Sequence, residues 1–136
     1  MWLIRANIDV NSLLQDCGDY VIIGSGLMEA KGLRQSNDID ILVRPEVFDK
    51  LQTKYGARPG KSQSGSRMLY IGDIEIYDEQ PGIDISALIA EAQVINGRRY
   101  PSDKHFLLYK QSRGEPKDLA DIKMFKENNN GKTGKV

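Results

Sequence analysis

Residues 22–43, IIGSGLMEAKGLRQSNDIDILV, hold the side chains best suited to chemistry. An apolar run ends in Gly24-Ser25. After twelve intervening residues, Asp38-Ile39-Asp40 opens a second run, Ile41-Leu42-Val43. A Gly-Ser turn at the end of a strand can wrap a phosphate with backbone N–H groups, the more so where a helix begins. Two aspartates at i and i+2 on a strand project from one face, roughly 6.6 Å apart along the chain. Carboxylates aimed at one spot repel unless a cation or a proton lies between them. A phosphate cradle beside paired carboxylates is the minimum for metal-assisted chemistry on a nucleotide.

Two-metal phosphoryl transfer needs a third acid on a neighbouring strand, to hold the ion that activates the attacking hydroxyl and to accept its proton. Ile74-Glu75-Ile76 offers one. On strand alternation Asp73, Glu75 and Tyr77 share a face, opposite Gly72, Ile74 and Ile76. Glu75 is the first choice, Asp73 the second and Asp78 the third. The competing reading makes Glu75 a solvent-facing residue on an exposed sheet.

The elements that must position these groups follow from periodicity. Residues 10–15 have helical spacing with Asn11 or Ser12 as cap, and Trp2, Leu3 and Ile4 are expected to pack beside them. Residues 20–23 and 39–43 are short β-branched runs that read as buried strands. Residues 25–33 form a helix stopped near Gly32, and Pro45 opens another through residue 55, with Val47, Phe48 and Leu51 on one face. Residues 56–66, GARPGKSQSGS, show no period and many turn formers, which predicts a mobile loop. Residues 67–71 and 73–77 read as a hairpin or one bulged strand joined at Gly72-Asp73. A helix over 85–92 precedes a hairpin around Asn96-Gly97. Ser102-Asp103 caps a helix to about residue 112, Gly114 breaks it, and Pro116 starts the last helix, to about residue 128. The polar segment 127–136 is expected to be a disordered tail after a single domain over 1–126. Helices on a small mixed β-sheet, an α/β or α+β two-layer domain, are the expected result.

Bulk properties narrow the classes. A chain of 136 residues is long enough for one real core. With 19 basic and 19 acidic side chains it has no strong overall pull on DNA or membrane. The charge is unevenly spread: residues 1–97 carry 9 basic and 14 acidic groups, a net of −5, and residues 98–136 carry 10 and 5, a net of +5. An acidic half and a basic half could together enclose a metal–nucleotide, although a lysine-rich helix is also simply solvated. The lone cysteine, Cys17, forms no intrachain disulfide and suits a reducing cytoplasm. No apolar run approaches the roughly 20 residues of a membrane span, and the start does not read as a signal peptide.

With Gly24-Ser25, Asp38-Ile39-Asp40 and Glu75 in this order, the chain resembles the nucleotidyltransferase superfamily related to DNA polymerase beta. It is most similar to the small bacterial branch of minimal nucleotidyltransferases and abortive-infection toxin-type enzymes. Gly32-Leu33-Arg34 carries the likeness further, as do Leu107-Leu108-Tyr109-Lys110, Arg113-Gly114 and Pro116-Lys117-Asp118-Leu119-Ala120-Asp121-Ile122, so that it spans about residues 20–125. It implies that Gly24 admits the triphosphate and Ser25 donates to it. Asp38 and Asp40 would bridge two Mg²⁺ ions. Glu75 would hold the second ion and orient or deprotonate the acceptor hydroxyl. A nucleoside monophosphate would pass from a nucleoside triphosphate to a hydroxyl on a small molecule, a protein or an RNA end, with release of pyrophosphate. The family's third acid is most often Asp, whereas Glu75 is a methylene longer, and Mg²⁺ demands near-octahedral geometry.

Lys110 is the better nucleotide-binding candidate of the pair Lys110 and Lys117, each of which also reads as a surface lysine. Arg34 and Arg67 are further phosphate candidates. Capping and local ion pairs account for Asp118 and Asp121 at a helix start. His105 reads as a packing residue. Two rivals to the enzyme remain: an inactive nucleotidyltransferase-fold module that holds a nucleotide, and an antitoxin-like protein that masks a partner.

Overall fold

The computed structural model describes residues 9–36 and 38–134, with side chains through residue 128. The elements run α1 (Val10–Asp16), β1 (Val21–Ile23), α2 (Gly26–Ala30), β2 (Ile39–Leu42), α3 (Pro45–Tyr55), β3 (Arg58–Lys61), β4 (Arg67–Ile71) and β5 (Ile74–Tyr77). There follow α4 (Ile85–Ala90), β6 (Gln93–Ile95), β7 (Arg98–Tyr100), α5 (Asp103–Arg113) and α6 (Pro116–Gly134). Trp2, Leu3 and Ile4 lie outside the described residues.

Five strands form one mixed sheet in the order β1-β2-β5-β4-β3, parallel only between β2 and β5. The register fixes what each face presents. Ile22, Ile41, Ile76 and Leu69 stand in one row across the sheet, and this face carries the main core under Leu13, Leu27, Met28, Phe48 and Leu51. Burial of each such side chain contributes roughly 1.5–3 kcal/mol. On the opposite face Val21, Leu42, Tyr77 and Met68 pack with Leu88 and Ile89 of α4. The adjacent row on that face is Ile23, Asp40, Glu75 and Tyr70. The row Ile22, Ile41, Ile76 and Leu69 on one face is apolar, and the other face changes from apolar to acidic within two residues.

Most local signals operate as the sequence implies. Pro45 occupies the first turn of α3, and Gly56 ends it in the left-handed region at φ +57°. Asn96 and Gly97 both take positive φ, the requirement of a type I′ hairpin turn. Ser102 caps α5 by accepting from His105 N–H at 3.2 Å.

Three expectations are corrected. The cap of α1 is Asp9, whose carboxylate accepts from Asn11 N–H at 3.0 Å, and not Asn11 or Ser12. The segment 56–66 is not simply a loop: β3 pairs along β4, from Arg58 opposite Tyr70 to Lys61 opposite Arg67. Arg58-Pro59-Gly60-Lys61 has no strand signature, but an edge strand tolerates proline. The Tyr70 ring lies so close to Gly60 that a Cβ there would stand 2.7 Å from it. Finally, α6 continues to Gly134, past the end expected near Asn128 and into the segment expected to lack structure. Neither Gly nor Pro interrupts residues 117–130, so helix propagation meets no stop there. Among the described residues no helix is long and apolar enough to cross a membrane.

Gly26 opens α2 directly against β1. A Cβ there would meet Ile22 Cγ2 at 2.6 Å, with the Tyr100 ring at 3.6 Å. Gly26→Ala is expected to destabilise the protein by about 1–3 kcal/mol through overpacking, read as a lower urea midpoint at unchanged slope. An unchanged midpoint would contradict this packing.

Candidate active site

The turn after β1 brings main chain against a carboxylate. Gly24 adopts φ +73°, and a Cβ at this position would stand 3.2 Å from Asp40 Oδ2. Glycine alone meets both demands without strain.

Asp40 and Glu75 are register partners on the parallel strands β2 and β5, so their carboxylates leave the sheet side by side. Asp38 precedes them by one pleat and is exposed. Asp40 Oδ1 is buried with no hydrogen-bond partner. Burial, then the charges of Glu75 and Asp38, push the Asp40 carboxyl up to about 7, against the weaker pull of Arg113 and Lys110. Glu75 Oε1 accepts from the Tyr77 hydroxyl at 2.6 Å, which holds the glutamate against its own strand. Burial first, and this carboxylate second, raise the Tyr77 hydroxyl well above the usual tyrosine range.

A second polar layer lies behind the turn. Ser25 Oγ accepts from Arg34 Nη2 at 2.7 Å and from Lys110 Nζ at 3.3 Å. Arg34 also forks onto both oxygens of Asp121, at 2.8 and 2.7 Å. Lys110 is only 2% exposed and lies 3.0 Å from Asp121 and 3.4 Å from Asp118. Arg113 Nε donates to the other oxygen of Asp118 at 3.2 Å, and that oxygen also caps α6 through Glu115 N–H. Burial works to raise Asp121, yet the bonds from Arg34 and Lys110 outweigh it and hold the carboxyl below its usual range.

In front of the carboxylates is a groove of about 880 Å³. Asp40, Glu75 and Tyr70 lie along it, and Lys61, Arg113 and Lys117 supply cations from its walls. Its walls come from the β3–β4 connection on one side and from the end of α5 and start of α6 on the other.

A crystal structure of a "putative nucleotidyltransferase" from Thermotoga maritima superposes with a TM-score of 0.52, covering 93% of this chain and 96% of that one at 15% identity. The chain has the nucleotidyltransferase fold. No protein-family model matches the sequence, and no curated protein matches it.

Within this nucleotidyltransferase fold the expected site residues do not all gather. Asp40 and Glu75 line the groove, Gly24 stands against Asp40, and Asp38 is exposed one pleat before Asp40. Ser25 faces the buried layer, and Lys110, expected at a nucleotide or at the surface, is buried there with it. Asp118 and Asp121 cap and pair as expected, but wholly inside the protein. Arg67 and Asp78 bind each other away from the groove, and Arg34 serves Ser25 and Asp121. Asp73 precedes β5 in the turn with Gly72. His105 Nδ1 contacts Ser102 Oγ at 2.8 Å. Cys17 is buried, its thiol pushed up to about 12 by burial, which removes it as a nucleophile. Tyr70, Ser112 and Lys61 join the groove without having been singled out, and Tyr109 joins it from the segment 107–110 that carried the family likeness. Tyr70 had a sequence signal in the expected pairing of residues 67–71 with 73–77, which sets it opposite Glu75.

Among the described residues no three His, Cys, Asp or Glu side chains are gathered into a group that could hold a metal ion as they stand. The donor chemistry at Asp40 and Glu75 nonetheless fits a hard divalent cation: paired carboxylates, a buried oxygen without a partner and a raised acid.

Proposed function

We propose that the chain is a Mg²⁺-dependent nucleotidyltransferase that moves a nucleoside monophosphate from a nucleoside triphosphate to a hydroxyl acceptor, with release of pyrophosphate. The observation that carries the reading is the unpartnered Asp40 Oδ1 beside Glu75, at a groove lined by cations. Asp38, Asp40 and Glu75 would hold two Mg²⁺ ions. Bound there, the ions would neutralise the carboxylates and the transferring phosphate.

The chain's own residues would do the rest. Gly24 lets the phosphates approach the main chain. Ser25 Oγ already accepts from two cations, so its own proton is left to donate to a phosphate oxygen. Lys110 would thus act on the nucleotide through Ser25. Arg113 and Lys117 offset phosphate charge from the groove wall. Glu75, held by Tyr77, orients the acceptor hydroxyl and takes its proton. The absence of a closed three-ligand group among the described residues supports a second reading, a module that holds a nucleotide without transferring it.

Thermal unfolding with each nucleoside triphosphate and Mg²⁺ tests binding, and pyrophosphate release tests transfer. Near a hundred times Kd the nucleotide should add about 2.7 kcal/mol, a rise of roughly 5–10 °C. The rise should need the metal and vanish in Asp38→Asn/Asp40→Asn. Metal-dependent stabilisation without pyrophosphate release across acceptor classes would favour the module. No stabilisation by any nucleotide would reject both readings.

A further inference from the structure

Of the two carboxylates that leave the sheet side by side, one is bare and the other is already engaged. Asp40 Oδ1 is buried without a partner, whereas Glu75 Oε1 accepts from the Tyr77 hydroxyl at 2.6 Å. That is the separation at which a general base takes a proton. The internal donor is an O–H group, the same group that the proposed acceptor presents. Tyr77 is firmly anchored. It ends β5 on the face of Glu75 and lines the groove, yet is only 8% exposed. Its ring packs with Val21, Leu42, Met68, Leu88 and Ile89. Burial first, and the Glu75 carboxylate next, raise its hydroxyl well above the tyrosine range, so it stays a donor at neutral pH.

We propose that Tyr77 guards the bound nucleotide against water: its hydroxyl occupies the proton-accepting oxygen of Glu75 until an acceptor draws the carboxylate away. The inference rests on the transferase reading of the groove, with Glu75 as its base. A groove of about 880 Å³ admits water freely, and water is itself a competing hydroxyl. With Glu75 Oε1 free, a water oxygen would bond to the α-phosphorus as the bond from that phosphorus to the bridging oxygen breaks. Pyrophosphate would leave, the water's proton would pass to Glu75, and the nucleotide would be lost as monophosphate. A bound acceptor has contacts along the groove to set against the Tyr77–Glu75 bond, whereas water has none, so the bond rejects water selectively. Glutamate suits this exchange better than aspartate, because its extra methylene adds a torsion about which the carboxylate can turn from Tyr77 to the acceptor. Tyr77 touches the base and not the reacting atoms, which makes it a positioning residue. Its anchored ring and retained proton fit a guard better than a nucleophile.

The test needs no knowledge of the acceptor: pyrophosphate release from each nucleoside triphosphate with Mg²⁺, in water alone, on the whole chain. Wild type should release little. Tyr77→Phe keeps the ring and deletes the hydroxyl, and should release pyrophosphate and nucleoside monophosphate roughly 10-fold faster or more, the factor that a hydrogen bond to a charged group supplies. A merely structural tyrosine would leave this rate unchanged or lower it. The gain should disappear in Tyr77→Phe/Glu75→Gln, where the water has no base. Thermal stabilisation by an α,β-methylene triphosphate analogue with Mg²⁺ should be equal in wild type and Tyr77→Phe, which places the gain after binding. Tyr77→Met, also without a hydroxyl, should show the same gain should the phenylalanine variant fail to fold. Release no faster than wild type in the folded variants, or a gain that survives Glu75→Gln, would overturn the proposal. So would a wild-type chain whose mass grows by one nucleoside monophosphate on Tyr77, which would make this residue an acceptor. Stabilisation by the analogue in those cases would leave the groove as a nucleotide site, and its absence would remove that reading as well.

Discussion

Asp40→Asn is expected to make the ligand-free protein more stable above pH 7 while abolishing metal-dependent nucleotide binding. The ordinary carboxylate value is 3.8, and in the folded chain Asp40 is pushed up to about 7, by burial first and by Glu75 and Asp38 next. Between those values the folded protein keeps a proton that the unfolded chain has released. Stability therefore falls as pH rises across this window. The penalty is absent below about pH 4 and complete above about pH 7. A three-unit shift corresponds to about 4 kcal/mol. Solvent in the groove screens part of it, so a gain of about 1–3 kcal/mol is expected for the asparagine variant at pH 8.5, with little at pH 4. Glu75→Gln should recover only part of this gain, because burial is the larger cause. Chemical denaturation at the two pH values provides the measurement, and a variant less stable than wild type at pH 8.5 would contradict the assignment. In the wild type, Mg²⁺ should stabilise more as pH rises through 7, since cation and proton compete for one carboxylate.

The acidic row was legible in the sequence because strand alternation is a strict rule. Asp38 and Asp40 had to share a face, Glu75 and Tyr77 had to share another, and one parallel pairing brings the two together. The helix stops at Gly56 and Gly114 and the Asn96-Gly97 turn were legible for a similar reason, since a positive φ selects few residues. What could not be read was set by contacts distant in sequence. Arg58-Pro59-Gly60-Lys61 becomes a strand only because β4 offers an edge and Tyr70 covers Gly60. Lys110 and Lys117 are alike as letters, yet one is buried between two aspartates and the other is exposed at the groove. An apolar cavity joins residues 23, 83, 88 and 108, from four separate segments, and no local pattern announces it.

The buried layer supports the second large expectation. Asp118→Ala should cost about 3–5 kcal/mol, the usual penalty for leaving a buried charge uncompensated. For a chain of this length that lowers the unfolding temperature by roughly 10–15 °C. Asp118 is fully buried, and its removal leaves Lys110 with Asp121 alone, an acid already forked onto Arg34. It also removes the acceptor for Arg113 and the cap on Glu115 N–H. Lys110→Met alone should be similarly harmful, because two aspartates lose their shared cation. The double change Asp118→Ala/Lys110→Met removes one negative and one positive charge, so its cost should fall well short of the sum of the singles. A double mutant showing simple additivity would mean that the two groups do not interact. The same comparison separates stability from function: Ser25 loses one of its two cationic donors in the double variant but keeps Arg34. If Lys110 serves the nucleotide through Ser25, nucleotide affinity should drop in a double variant that remains folded, whereas a purely structural Lys110 would leave affinity intact.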